Sequence, residues 1–311
     1  MRIEVYDNLN PLSVLQLNLL ALGFALTPEH VALLRQSDPR LFPCLAIYAV
    51  EEDAVLGQVG IFRLPMISTE GREDVGGIWA VSTHPQSAGR GIASRLLDEA
   101  HNRMREAGLR FSTLGTNRYR TAYKLYHQLG YEETNVWATA LARWETAHQP
   151  TRLWAQSLEP ERCDFVEQIF ADLAQDYLGF SWRHTPFARL HLAVNSSDIW
   201  IIRENNRVVG YALAHPDQTM LTISNLVLHR DIDAAEATAA VVAEQKSSYV
   251  QVKLSSPGEI SSLRGAGYHV AHPTWDAFMV KPLLPEVSFE DARRLYGIGT
   301  DQFLISWLDV T

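Results

Sequence analysis

A chain of 311 residues is long for one compact domain and sufficient for two. Its composition, 47% hydrophobic, 20% charged and 10% aromatic, excludes a disordered or collagen-like chain, and its net charge of −9 excludes a general nucleic-acid binder. Two cysteines, Cys44 and Cys163, supply neither a disulfide framework nor a cysteine-based metal site.

Residues 2–6 read as a strand. The apolar run from Leu12 to Leu26 is not a signal peptide: Glu4 and Asp7 precede it, Gln16 and Asn18 interrupt it, and no basic leader or cleavage site frames it. Leu12, Leu15, Leu19 and Leu22 fall at helical spacing and predict an amphipathic helix over 12–22. No uncharged apolar stretch of about 18 residues occurs, so no membrane partner and a cytoplasmic location are expected. Residues 44–50 and 55–63 predict a hairpin closed by Glu51-Glu52-Asp53-Ala54, and 75–83 a strand that His84-Pro85 ends. Ile92, Leu96, Ala100 and Met104 recur every four residues and predict a helix over 89–107, stopped by Gly108. A strand at 111–115, a helix at 121–129 before Gly130, and a strand at 131–142 complete the first half.

The second half repeats much of that order. A strand at 153–158 and a helix at 161–173 precede a hairpin of 199–203 and 208–214 about Glu204-Asn205-Asn206-Arg207. A strand at 219–228, a helix at 233–245 with an acidic cap, and a strand at 249–253 follow. Leu263-Arg264-Gly265-Ala266-Gly267-Tyr268 resembles Tyr126-His127-Gln128-Leu129-Gly130-Tyr131. Two copies of one βαβ-type unit are therefore expected, as domains 1–147 and 151–311 joined near residues 147–151. The tail from Pro282 carries a helix near 289–296 and an apolar segment at 303–308. Residues 1–150 balance to −2 and residues 151–311 to −7.

The informative stretch is Val81-Ser82-Thr83-His84-Pro85-Gln86-Ser87-Ala88-Gly89-Arg90-Gly91-Ile92-Ala93, a strand running through two glycines into a helix. Glycines let backbone N–H groups approach an anion, and the helix N-terminus adds partial positive charge, so the stretch fits a phosphate or pyrophosphate site. A plain strand-to-helix turn, with glycine supplying only unusual dihedrals, fits the glycines equally. A P-loop is excluded because no lysine follows the glycines. A dinucleotide fingerprint, and with it an NAD(P) oxidoreductase, fails because Ser94 stands at the third glycine position and the next strand ends Gly115-Thr116-Asn117. His184 and His191 lack a third ligand, so no metal is expected, and Ser82-Thr83-His84 is no nucleophile elbow.

Downstream, Tyr123-Lys124-Leu125-Tyr126-His127-Gln128-Leu129-Gly130-Tyr131 follows the strand at 111–115. Together with the loop from Thr83 to Ala93 it resembles the paired signatures of the GNAT N-acetyltransferase superfamily. The resemblance covers about residues 45–140 and, in degenerate form, much of 199–282. It implies an α/β fold of two GNAT-like lobes, each a twisted mixed sheet flanked by helices. It also implies transfer of an acetyl group from acetyl-CoA to a primary amine, on a small molecule or a peptide, by a monomer or homodimer. Val81 and Thr83 would bond the pantetheine arm; Gly89, Arg90, Gly91, Ile92 and Ala93 the pyrophosphate; Asn117 the thiol arm. Tyr126 would be the general acid. The Arg or Gln usual at the head of the loop is Ala88 here, which would weaken pyrophosphate binding, with Arg90 as a partial substitute. Ala88, with the degenerate second lobe, also fits the alternative of a non-catalytic acyl-CoA-binding or regulatory protein. Glu73, Asp74, His84 or a water chain would serve as base, and Trp79 could line the acceptor pocket. In the second copy His229-Arg230-Asp231-Ile232 has no glycine, and Leu263 replaces the tyrosine. That lobe is left with structural support or part of the acceptor pocket.

Overall fold

The computed structural model describes residues 1–159, 164–182, 198–217 and 219–305. Cys163, His184, His191 and residues 161–163 and 306–308 of two predicted elements lie outside that description. In chain order, the first half forms β1 (Arg2–Val5), α1 (Pro11–Leu22), α2 (Pro28–Ser37), β2 (Leu41–Glu51), β3 (Ala54–Ser68), β4 (Gly71–Thr83), α3 (Ile92–Glu106), β5 (Phe111–Asn117) and α4 (Thr121–Gln128). Then come β6 (Glu132–Glu133), β7 (Ala138–Arg143), α5 (Trp144–Ala147), β8 (Leu153–Leu158), α6 (Asp164–Leu173) and β9 (Leu178–Gly179). The second half continues with β10 (Asp198–Glu204), β11 (Arg207–Pro216), β12 (Met220–Leu228), α7 (Ala234–Ala243), β13 (Tyr249–Leu254), α8 (Pro257–Gly265), β14 (His269–Ala271), β15 (Asp276–Pro282), α9 (Phe289–Tyr296) and β16 (Phe303–Leu304).

Two mixed sheets share one plan. The first runs β1-β2-β3-β4-β5-β15-β6 and the second β8-β10-β11-β12-β13-β7-β14, so the repeats correspond position by position. Along these two paths only β4–β5 and β12–β13 pair in parallel, each joined through one helix, α3 or α7. One position is exchanged. Strand β15, from the second repeat, pairs with β5, while β7, from the first, pairs with β13 and β14. Each sheet thus takes one strand from the other side of the joint expected near residue 147.

The strand predicted over 131–142 accordingly divides. Asn135 turns at φ +54°, leaving β6 in the first sheet and sending β7 to the second. Where the crossing strands pass, Thr134 donates to the Phe278 carbonyl from both N–H and hydroxyl at 3.0 Å, and the Thr139 and Thr274 hydroxyls meet at 2.8 Å.

Helix α3 covers one face of the first sheet. Its predicted stripe, Ile92, Leu96, Ala100 and Met104, is buried against Val59, Ile61, Ile78 and Leu114. Gly76 permits this approach, since a Cβ there would lie 2.3 Å from the Met104 sulfur. The opposite face is shared. Val14, Leu17 and Val31 of α1 and α2 cover Leu45 and Tyr48, while Phe289, Leu295 and Tyr296 of α9 cover Leu64, Val75 and Phe278.

Helix α1 forms as predicted but buries a different stripe. Val14, Leu17 and Asn18 face the sheet, whereas Leu12 and Leu19 are exposed. Apolar residues surround this helix, so spacing alone does not select a face. The burial of one polar residue, Asn18, does. Helix α2 was not signalled by periodicity, though Thr27 caps it and Pro28 opens it.

Candidate acyl-CoA site

Strands β4 and β5 pair only at Gly76–Ser112 and Gly77–Thr113. Beyond those positions β4 runs on to Thr83 and β5 to Asn117, with no strand pairing between them among the described residues. Past those positions neither strand uses its facing backbone groups to pair with the other, which leaves donors and acceptors for a ligand. In this stretch β4 is bulged. Gln58 pairs with Ser82 but Gly60 with Trp79, so Ala80 and Val81 together oppose Val59. Ala80 holds φ +49°, a left-handed conformation that costs a non-glycine residue about 1–3 kcal/mol.

The strand passes into a single 3-10 turn, Pro85–Ser87, and then the glycine loop. Gly89 and Gly91 adopt φ +77° and +71°, with open space where a Cβ would stand. Gly91 caps α3 without any side-chain hydrogen bond, so the first N–H groups of a 15-residue helix carry no side-chain acceptor. Glycine at these positions supplies the dihedrals, and the helix end behind it carries no side-chain cap. Arg90 does not turn toward the helix end. Its Nη2 lies 3.0 Å from both carboxylate oxygens of Glu51 at the β2–β3 turn. This exposed pair engages the guanidinium expected to substitute in part for the donor missing at Ala88.

Tyr126 projects from α4 into the core that holds Ile92, and Val81 packs against the same cluster. Burial pushes its hydroxyl up to about 12, opposed by the positive charge of Arg120. Sequence patterning gave no signal for that neighbour. No hydrogen bond occupies the Tyr126 hydroxyl among the described residues, and the ring meets Tyr131 edge to face at 5.9 Å. Tyr123, by contrast, donates to Glu133 at 2.6 Å, and that carboxylate is also held by Arg118. Asn117 ends β5, but its side-chain oxygen accepts from Tyr119 N–H at 3.0 Å and so builds the turn into α4.

The three side chains considered as bases all have structural partners. Glu73 is gripped by Arg110 at 2.7 and 3.0 Å, Asp74 faces Arg63 at 3.7 Å, and His84 Nδ1 accepts from Gln86 N–H at 3.3 Å. Trp79 stacks on Phe62 at 5.1 Å with parallel rings.

The equivalent place in the second lobe is already filled. Asp233 accepts from the N–H groups of Ala235 and Glu236 at 3.0 Å, so a carboxylate of the chain itself occupies the α7 N-terminus. The adjoining cleft of about 520 Å³ is lined by Leu228, Asp233, Glu259 and Asp301, with Phe303 from the C-terminal tail. Acidic side chains there disfavour a phosphate. A larger cavity of about 640 Å³, between Arg72, Trp182 and α6, contains none of the loop residues.

A mixed sheet whose parallel pair is short, with an uncapped glycine loop and helix behind it, forms the candidate site. Residues 15–134 match the model of the acetyltransferase (GNAT) domain. Solved structures of GCN5-related N-acetyltransferases from Kribbella flavida and Anabaena variabilis share the fold. They are 17% and 16% identical, with TM-scores of 0.65 and 0.66, and 91% of this chain matches 72% and 73% of theirs. A probable N-acyltransferase from Enterococcus faecalis, 13% identical with a TM-score of 0.72, is similar over 91% of this chain and 72% of its own. No protein of curated function matches the sequence. Residues 15–134 are thus similar to a GNAT acetyltransferase domain, and the chain as a whole shares the fold of GCN5-related N-acetyltransferases.

Proposed function

We propose that the protein is an N-acetyltransferase that transfers the acetyl group of acetyl-CoA to a primary amine of a small molecule or peptide. The site lies in the lobe built mainly from residues 1–147, whose sheet β15 completes, and the rest of residues 151–311 with β7 forms a supporting lobe. The observation that carries this reading is the open end of α3: glycines with room around them and helix N–H groups without a side-chain cap, at the end of an unpaired strand edge. The second lobe supports it by contrast, because Asp233 fills the corresponding position.

In this reading Val81 and Thr83 bond the pantetheine amides. The backbone at Gly89, Arg90, Gly91, Ile92 and Ala93 binds pyrophosphate, and the free amide of Asn117 reaches the thiol arm. Bound acetyl-CoA supplies the activated acyl group and a thiol leaving group. Backbone N–H groups of the bulged β4 receive the developing negative charge. Tyr126 holds a proton for the departing sulfur. The burial that weakens this phenol as an acid penalises a thiolate in the same cleft, so their affinities for the proton stay comparable. With its three candidates engaged elsewhere, the amine loses its proton to water, and the acidity of the second lobe favours a cationic acceptor.

Calorimetry with acetyl-CoA tests the first half of this reading, and a thiol-release assay over a panel of amines tests the second. Tyr126→Phe is expected to lower kcat about 100-fold while leaving acetyl-CoA affinity unchanged. Because the phenol is held up to about 12, activity should persist through pH 10 rather than fall there. Binding without turnover on any amine would leave a non-catalytic acyl-CoA-binding protein.

A further inference from the structure

The bulge in β4 is held from beneath by two carboxamides. Asn18 of α1 and Gln58 of β3 are both about 1% exposed. They form a reciprocal pair: Asn18 Nδ2 donates to Gln58 Oε1 at 3.0 Å, and Gln58 Nε2 donates to Asn18 Oδ1 at 2.8 Å. The remaining N–H of each points to a backbone carbonyl, from Asn18 to Val14 at 2.9 Å and from Gln58 to Ala80 at 3.2 Å. Every amide hydrogen is therefore used. Carbonyl oxygens cannot donate, so turning either amide over would set oxygen against oxygen, and the network admits one orientation. Ala80 is the left-handed residue of the bulge, where the β3–β4 ladder is interrupted. Gln58 supplies the donor that the ladder does not.

A buried amide pair is an expensive way to fill space, because each group must be completely satisfied before it is better than a hydrocarbon. Here the return is geometric. A one-residue slip of β4 would exchange the faces of every residue beyond the bulge, Val81 and Thr83 among them. The second lobe has an irregularity in β12 but no such pair. Its buried Asn225 has neither amide atom hydrogen-bonded among the described residues. The lobe whose helix end is closed thus also lacks the device.

We propose that Asn18 and Gln58 are positioning residues: their paired carboxamides hold Ala80 in its left-handed conformation and so set how Val81 and Thr83 face acyl-CoA. The ligand half of this inference rests on the acyl-CoA reading above. The informative variant is the double substitution Asn18→Leu with Gln58→Met, which removes both amides and keeps their bulk. It is expected to fold with a wild-type circular dichroism spectrum, to weaken acetyl-CoA binding about tenfold or more, and to speed amide exchange at residues 78–83 but not in β2. Adding Ala80→Gly should recover affinity, because glycine adopts this conformation unaided. The exchanged pair Asn18→Gln with Gln58→Asn should recover it in part. Wild-type affinity and wild-type exchange in the double variant would overturn the proposal. If that variant does not fold, Gln58→Met alone carries the same test, since it keeps the size but withdraws the donor from Ala80. A wild-type protein that binds no acetyl-CoA would sink the acyl-CoA reading before any substitution is made. Exchange at 78–83 then decides the clamp: faster exchange in the double variant supports it, and unchanged exchange overturns it.

Discussion

His101, on the buried side of α3, lies 2.8 Å from the Tyr131 hydroxyl through Nε2, and that hydroxyl is 2.7 Å from Ser112 Oγ. Its other nitrogen, Nδ1, is buried without a hydrogen bond among the described residues. Burial, reinforced by the charges of Lys281 and Arg105, lowers the imidazole to about 3. The folded protein therefore keeps His101 neutral where an unfolded chain protonates it. The stability it contributes is complete above about pH 6.5 and is lost as pH falls toward 3, amounting to a few kcal/mol at most. Urea midpoints at pH 7 and pH 4.5 should differ substantially for the wild type and much less for His101→Gln. Equal losses in both proteins would show that His101 is not the sensor. Nothing in the sequence announces this trio, because its members come from α3, β5 and the turn after α4 and meet only when the sheet has formed. Tyr126 was legible because its spacing from Gly130 is local. The Arg90–Glu51 pair was not, since it joins residues 39 apart whose side chains carry no pattern.

At the scale of elements, legibility follows how sharply one face differs from the other. Helix α3 has a single apolar stripe, and that stripe is the one buried. Helix α1 is apolar nearly all round, so its spacing fitted a stripe that the fold leaves in water. The strand over 131–142 was read from its β-rich part at 136–139, and the tertiary exchange divides it. The glycine loop supplies the prediction at this scale. Gly91→Ala meets no neighbouring atom, so its effect is confined to the backbone: a left-handed alanine costs about 1–2 kcal/mol, and relaxation would turn the α3 N–H groups away. Acetyl-CoA affinity should fall about tenfold. Gly76→Ala instead drives a methyl into Met104, so it should lower the unfolding midpoint while the affinity of the surviving folded protein stays near normal. Equal loss of affinity in both variants would mean the loop acts only through stability.

For the molecule as a whole, the repeat was visible in the sequence but the exchange of strands was not, since β7 and β15 each fit either sheet by pattern. That exchange makes each sheet depend on both repeats. Strand β15 registers with β5 from Asp276–Asn117 to Pro282–Phe111, and β7 with β13 from Tyr249–Arg143 to Leu254–Ala138. Withdrawing the second repeat strips β15 and α9, with Phe278 and Val280, from the first sheet and its core, and withdrawing the first strips β7 from the second sheet, so the edge of β5 or β13 is exposed. Neither half can therefore reach its native sheet alone. The full chain should lose both sheets in one urea transition, with tryptophan fluorescence and far-ultraviolet circular dichroism superimposing. A fragment of residues 1–150 should show no cooperative transition, and extending the first lobe with residues 274–305 through a flexible linker should restore one. Two separated transitions in the full chain, or a cooperatively folded 1–150 fragment, would show that the lobes stand independently and that the shared strands are incidental to their stability.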